Sequence, residues 1–143
     1  MHEFNEFRIF PIPVFTCENV KQITKEELYV ATNELNVYKG CEYSERKISI
    51  DTYILERKEY KNLKKVLTEK LNSYFQEVFA PRNKDLELYI TQSWLNYNEK
   101  GAYHHPHYHT NSIVSGVFYL KANKELDQIC FEKKFSPDYL DTL

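Results

Sequence analysis

The clearest periodicity in the chain runs from Lys58 to Phe79, where Leu63, Val66, Leu67, Leu71, Tyr74, Phe75 and Val78 form one apolar stripe at helical spacing. The stripe predicts a long amphipathic helix whose solvated face carries Lys61, Lys64, Lys65, Glu69, Asn72 and Glu77. A shorter helix is expected over residues 25–36. Thr24-Lys25-Glu26-Glu27 has the capping-box spacing, in which the Thr hydroxyl and the Glu carboxylate each satisfy an orphan backbone N–H, and Leu28, Ala31 and Leu35 follow at helical intervals. Residues 7–15 are apolar and β-rich, but Pro11 and Pro13 lack the N–H a ladder needs, so an edge strand or extended arm lying on the core is predicted there. Residues 41–51 are polar and turn-like and read as a loop.

Past Pro81-Arg82-Asn83-Lys84 the pattern changes from helical to alternating. Leu86, Leu88 and Ile90 alternate with Glu87, Tyr89 and Thr91, predicting a strand over residues 86–97 that ends in the turn Asn98-Glu99-Lys100-Gly101. Two further β segments are expected over residues 112–122 and 128–135, both rich in Ile, Val, Phe or Tyr. Helices precede strands, which is the α+β order. The reading is one domain over residues 1–143, with the arm and helices in 1–84 and an antiparallel β part in 85–143.

A length of 143 residues supports a single core. Lys plus Arg number 19 against 21 for Asp plus Glu, so there is no basic excess to follow a phosphate backbone, and nucleic acid is not an expected partner. Three glycines are too few for a phosphate cradle, which excludes P-loop and dinucleotide folds. Twelve Tyr and nine Phe point instead to broad aromatic packing surfaces. Cys17, Cys41 and Cys130 are odd in number and far apart, and fit neither a disulfide framework nor a CxxC site. With an acidic start and no apolar run of about 20 residues, the chain reads as a cytoplasmic protein without a membrane partner.

Four of the five histidines fall within Tyr103-His104-His105-Pro106-His107-Tyr108-His109. In extended backbone, alternate side chains share a face, so His105, His107 and His109 are expected together, with His104 and Tyr108 opposite. Two imidazoles on one side of a strand chelate a divalent ion, and imidazole suits Fe, Zn, Ni or Cu, so the cluster predicts a metal without selecting one. Whether His105 or His109 is the second ligand beside His107 stays open, and solvated histidines in a loop are the bland alternative. Gly101, His107 and His109 also have the cupin spacing G-x5-H-x-H, but Ile113 and Val114 stand where cupins carry a carboxylate. A cupin-like metal-binding protein would draw that ligand from Glu99, Asp127 or Glu132.

The order Ser93-Trp94, Gly101, His107-Tyr108-His109, Asn111-Ser112, Ser115-Gly116-Val117 and Phe118-Tyr119 resembles the core of a 2OG-Fe(II) oxygenase family. Pro11-Ile12-Pro13-Val14 resembles that family's opening before its helices. The resemblance implies N-terminal helices packed on a double-stranded β-helix, or jelly roll, that holds Fe(II) near one open end and uses 2-oxoglutarate and O2 to oxidise a C–H bond of an unspecified small-molecule or protein substrate. It further implies His107 and His109 as metal ligands and Asn111, Ser115 and Tyr119 as hydrogen-bond partners of the 2-oxoacid. His109 stands where the facial triad has its acid. The family also places a distal His and a basic residue for 2-oxoglutarate beyond the segment occupied here by Phe131-Glu132-Lys133-Lys134, whereas no His follows His109 and no Arg follows Arg82. A jelly roll has about eight strands and only a few are predicted after residue 85, so the core is expected to be incomplete at the C-terminus. Exposed edges and the inward side chains of Trp94, Val117 and Tyr119 then favour a homo-oligomer. A reading from a different class makes the chain a non-catalytic structural or interaction module whose aromatic surface binds a partner chain.

Overall fold

The computed structural model describes residues 12–18, 20–34, 39–41 and 44–132, so residues 7–11 of the predicted arm, residues 35–36 of the first helix and residues 133–135 lie outside it. Helix α1 spans Lys25–Glu34 and opens with the expected box. The Glu27 N–H donates to Thr24 Oγ1 at 3.1 Å, and the Thr24 N–H donates to Glu27 Oε2 at 2.8 Å. The predicted apolar face of α1 is corrected. Leu28 and Tyr29 are exposed, whereas Glu27 and Glu34 are buried. Each buried acid has a cation: Lys21 Nζ lies 2.6 Å from Glu27 Oε2, and Arg57 bridges Glu34 and Asp51. A paired and hydrogen-bonded carboxylate tolerates burial that an isolated one does not. Tyr60, fully buried, then clamps the helix by donating to the Glu27 carbonyl at 2.9 Å.

Helix α2 spans Lys61–Tyr74, entered through 3-10 turns at Ile54–Glu56 and Lys58–Tyr60 and continued by a π-helical turn at Phe75–Phe79. Its extent agrees with the predicted stripe, and it stops where Ala80 turns left-handed (φ 45°) just before Pro81. Phe15 meets the Tyr74 ring edge-on at 5.3 Å, which lays the described part of the arm along this helix rather than in a strand.

Three short strands form one antiparallel sheet in the order β1-β2-β3, with β1 at Lys39–Cys41, β2 at Ser44–Ile48 and β3 at Asn96–Asn98. Lys47 faces Tyr97 in the β2–β3 register, and Gly40 faces Lys47 in β1–β2. The loop expected over residues 41–51 is therefore a strand for most of its length. A polar strand has no hydrophobic alternation to betray it, and its partner β3 is remote in sequence.

Residues 86–95, predicted as a strand, make no ladder apart from a parallel bridge between Ser93 and Tyr53. Side chains of α2 and of the π-helical turn after it take the place of a neighbouring strand. Asn72 Oδ1 accepts the Leu88 N–H at 2.7 Å, Asn72 Nδ2 donates to the Leu88 carbonyl at 3.1 Å, and Gln76 Nε2 donates to the Leu86 carbonyl at 3.0 Å. Asn72 is thus half-buried and structural, not part of a solvated face. The predicted β segments over 112–122 and 128–132 also form no ladder among the described residues. Strand propensity becomes strand only when a second backbone supplies the hydrogen bonds.

Among the described residues the core is small: Ile54, Tyr60 and Leu63 are buried, with Val30, Leu55, Leu67, Leu95 and Phe118 packed against them. Leu95 and Phe118 deliver the stretches before and after the histidine row to this cluster.

Burial alone pushes the Glu27 carboxyl up, but the hydrogen bonds from Lys21 and the Thr24 N–H, with the Lys21 charge, outweigh it and hold the group below its ordinary value of 4.5. A carboxyl depressed by folding contributes stability that is complete above its unfolded value and is lost as pH falls through its folded value. Urea unfolding of the wild type should therefore weaken from pH 7 toward pH 3 more steeply than that of Glu27→Gln; equal slopes would show that the Lys21–Glu27 pair contributes nothing.

A candidate metal centre

Ser93 anchors the approach to the site. Its N–H donates to the Thr52 carbonyl at 2.9 Å, its carbonyl accepts from Ile54 N–H at 3.0 Å, and its Oγ accepts from Leu55 N–H at 3.0 Å. Ser49 repeats the device one step on, donating its N–H to the Leu95 carbonyl while Ser49 Oγ accepts the Leu95 N–H, both at 3.0 Å. Between these staples Trp94 is held half-buried, with its indole edge-on to the His109 ring at 5.2 Å between centroids.

Strand β3 runs into the expected turn, closed by a hydrogen bond from Ala102 N–H to the Glu99 carbonyl at 3.0 Å. Gly101 sits in it at φ 86°, a conformation that side chains resist. The histidine row follows without regular secondary structure.

His107 Nε2 and His109 Nε2 lie 3.1 Å apart. The other nitrogen of each ring is already engaged: His107 Nδ1 lies 3.0 Å from the His105 carbonyl oxygen, and His109 Nδ1 lies 2.9 Å from Ser115 Oγ. A carbonyl only accepts, so neutral His107 carries its proton on Nδ1 and leaves a lone pair on Nε2. The network then assigns His109 Nε2–H as donor to that lone pair, and the Ser115 hydroxyl as donor to His109 Nδ1. Ser115 reaches back to His109 because Asn111 adopts a left-handed turn at φ 60°, which asparagine tolerates better than most residues.

The face-sharing expected of His107 and His109 is therefore present. His104, expected on the opposite side, is brought back: its ring stacks on His107 at 4.2 Å with 20° between planes. Alternation presumes extended backbone, and a row containing Pro106 with no ladder does not keep it. His104 Nδ1 also lies 3.0 Å from the His105 carbonyl, which thus accepts from two imidazoles. Asn111 and Tyr119 are exposed, as is Ser115, and Gly116 has open space where a Cβ would be, so close packing does not account for a glycine there. Among the described residues no Asp or Glu joins the histidine nitrogens in a three-ligand group.

In the sequence Ser93 is only a motif letter and Trp94 an expected inward side chain; in the structure Ser93 fixes the backbone and Trp94 walls His109. No sequence pattern brings His104 to the side of His107.

The assigned proton positions are measurable without metal. Nitrogen-15 spectra of the metal-free protein at alkaline pH should show His107 as the Nδ1–H tautomer and His109 as Nε2–H. Ser115→Ala should raise the Nδ1–H share of His109 and leave His107 unchanged; an unaltered His109 would remove the Ser115 contact from the network.

Neither the curated proteins nor the solved structures contain a match to the chain. A family model does match, over a span that begins one residue before Ser93 and includes every histidine of the row as well as Ser115 and Tyr119. The N-terminal resemblance at Pro11–Val14 lies outside that span. The matching model, over residues 92–140, is that of the family described as "Putative 2OG-Fe(II) oxygenase".

Proposed function

We propose that the chain acts as an Fe(II)- and 2-oxoglutarate-dependent oxygenase, a hydroxylase-type enzyme on a jelly-roll-related fold, with His107 and His109 as its metal ligands. The observation that carries this reading is the paired Nε2 geometry. Two nitrogens in adjacent positions on an ion at about 2.1 Å are about 3.0 Å apart, close to the 3.1 Å found. His107 Nε2 and His109 Nε2 would hold a divalent ion in place of the proton they share. His109 would then carry its proton on Nδ1, and Ser115 Oγ would accept it rather than donate. An outer partner of this kind fixes ring orientation and raises ligand basicity. Trp94 shields one edge of His109 from water.

The residues present fit a two-imidazole chelate and leave the remaining positions of a six-coordinate ion open. The triad's carboxylate is not among the described groups around the histidines. Fe(II) held there with 2-oxoglutarate and O2 would supply the oxidising power for C–H oxidation. For the 2-oxoacid, Asn111 and Tyr119 offer exposed hydrogen-bonding groups beside the pair in sequence, and Ser115 offers its hydroxyl through His109. Cys17 and Cys130 are exposed free thiols, and among the described residues no helix is long and apolar enough to cross a membrane, which supports work in the reducing cytoplasm.

The reading as an interaction module has an observation of its own. Ile113, Val117, Leu126, Ile129 and Phe131 are all at least half exposed, and Tyr119 nearly so, a density of apolar side chains that favours self-association. A homo-oligomer is compatible with both readings.

Anaerobic addition of Fe(II) and 2-oxoglutarate to metal-free protein should produce the visible charge-transfer band of the chelated cosubstrate. His107→Ala should abolish it, and Ser115→Ala should weaken Fe(II) binding about 10–100-fold even without 2-oxoglutarate. No band in the wild type would overturn the oxygenase reading and favour the interaction module. Sedimentation equilibrium should give at least twice the monomer mass, with Val117→Lys shifting the distribution toward monomer; a monomer at high concentration would remove the oligomer from both readings.

A further inference from the structure

We propose that residues 87–91 pair with the same stretch of a second copy of this chain, antiparallel and in the one register that sets Tyr89 opposite Tyr89. Leu88 turns both its N–H and its carbonyl to Asn72, and Leu86 turns its carbonyl to Gln76 on the same side, which is the period-two pattern of extended backbone. The alternation sends the N–H and carbonyl of Glu87, Tyr89 and Thr91 to the opposite side. There, none of the described residues hydrogen-bonds to them. All three residues are exposed, Tyr89 by 78%. Ser93, next in the same series, shows that this side accepts a strand: its N–H and carbonyl are bonded to Thr52 and Ile54, in the parallel bridge at Tyr53.

The two ends of this open edge select the partner and the register. Beyond Thr91 the edge closes at Ser93, and before Glu87 the Asp85 N–H already donates to Asn83 Oδ1 at 2.9 Å. With a second copy centred on Tyr89, Glu87 faces Thr91 and Tyr89 faces Tyr89, and each facing pair forms two backbone hydrogen bonds. A slip by two residues either way brings Asp85 or Ser93, already engaged, into the ladder. The side chains agree with the same register. Each Glu87 meets an uncharged Thr91 rather than the other Glu87, the two Tyr89 rings are neighbours on one face, and Leu88 meets Ile90 on the other. An open edge with a single charge, placed away from its own copy, is a template for itself. The contact is small, so the dimer is weak and forms as concentration rises. It uses neither the histidines nor the apolar side chains after residue 112, and it does not rest on the oxygenase reading.

The test is amide hydrogen exchange of the full chain, resolved by residue with NMR, in dilute and in concentrated protein. Exchange at Glu87, Tyr89 and Thr91 should slow at least about 10-fold in concentrated protein, whereas Ile90, whose N–H faces the α2 side, should keep its rate. Thr91→Glu sets like charges opposite each other and should abolish the slowing. Thr91→Lys sets opposite charges there and should produce the slowing at lower protein concentration. Position 91 is exposed, and far-ultraviolet circular dichroism checks that both variants keep the fold. Exchange independent of concentration, or equal effects of the two substitutions, would each overturn the proposal. Val117→Lys should leave the slowing in place; its loss there would assign the contact to the apolar surface and overturn the edge pairing. The iron and 2-oxoglutarate band plays no part in these readouts, so the two proposals fail separately.

Discussion

The arrangement around the histidines depends on Ser93. Its backbone N–H, carbonyl and hydroxyl each form a hydrogen bond to the Thr52–Leu55 stretch. That stretch contributes Ile54, as deeply buried as Leu63, to the core. Three short bonds on one residue fix position and direction together, so the backbone leaving Ser93 has little freedom. Trp94 is therefore aimed by its neighbour, and the ring it meets, His109, is aimed by Ser115 and by the Asn111 turn. A serine whose hydroxyl is spent on a backbone N–H contributes by geometry, as about 1 kcal/mol per bond, more than by chemistry of its own.

The same economy recurs wherever the fold lacks a ladder. Asn72 pairs with both backbone groups of Leu88, as a strand neighbour would, and Gln76 reaches the Leu86 carbonyl. Ser49 does the equivalent for Leu95. Three side chains and a three-stranded sheet thus satisfy backbone that irregular structure would leave to solvent. Among the described residues the hydrophobic cluster is too small to do this by packing alone, and the buried Glu27 and Glu34 show that polar contacts also carry much of the burial in α1.

What the sequence made legible was local. The capping box at Thr24 and Glu27, the long stripe ending at Phe79 and the turn at Gly101 all depend on neighbours a few residues apart, and all three are present. The pairing of His107 with His109 is local in the same way. Legibility failed where a partner was distant. Ser44–Ile48 is a polar strand whose more distant mate is β3, the partner that buries Asn72, Leu88, is not on its helix, and Glu27 takes the buried face of α1 from Leu28 because Lys21 and Tyr60 engage it. His104 departs from expectation for a different reason: the period-two rule holds for extended backbone, and the row around Pro106 is not paired into a sheet.

These two kinds of contact also differ in when they can form. The four hydrogen bonds described for the histidine network each span six residues or fewer, from His104 with the His105 carbonyl to His109 with Ser115. The bonds that seat Trp94 beside it span 38 residues at Leu55–Ser93 and 46 at Ser49–Leu95. Closing a short loop costs far less chain entropy than closing a long one. The imidazoles can therefore find their arrangement on a nascent or partly folded chain, ahead of the core that later encloses one side of it. The ion of the proposed centre would then meet a ligand set that precedes the core, so that its capture would belong to the chain's maturation rather than follow it.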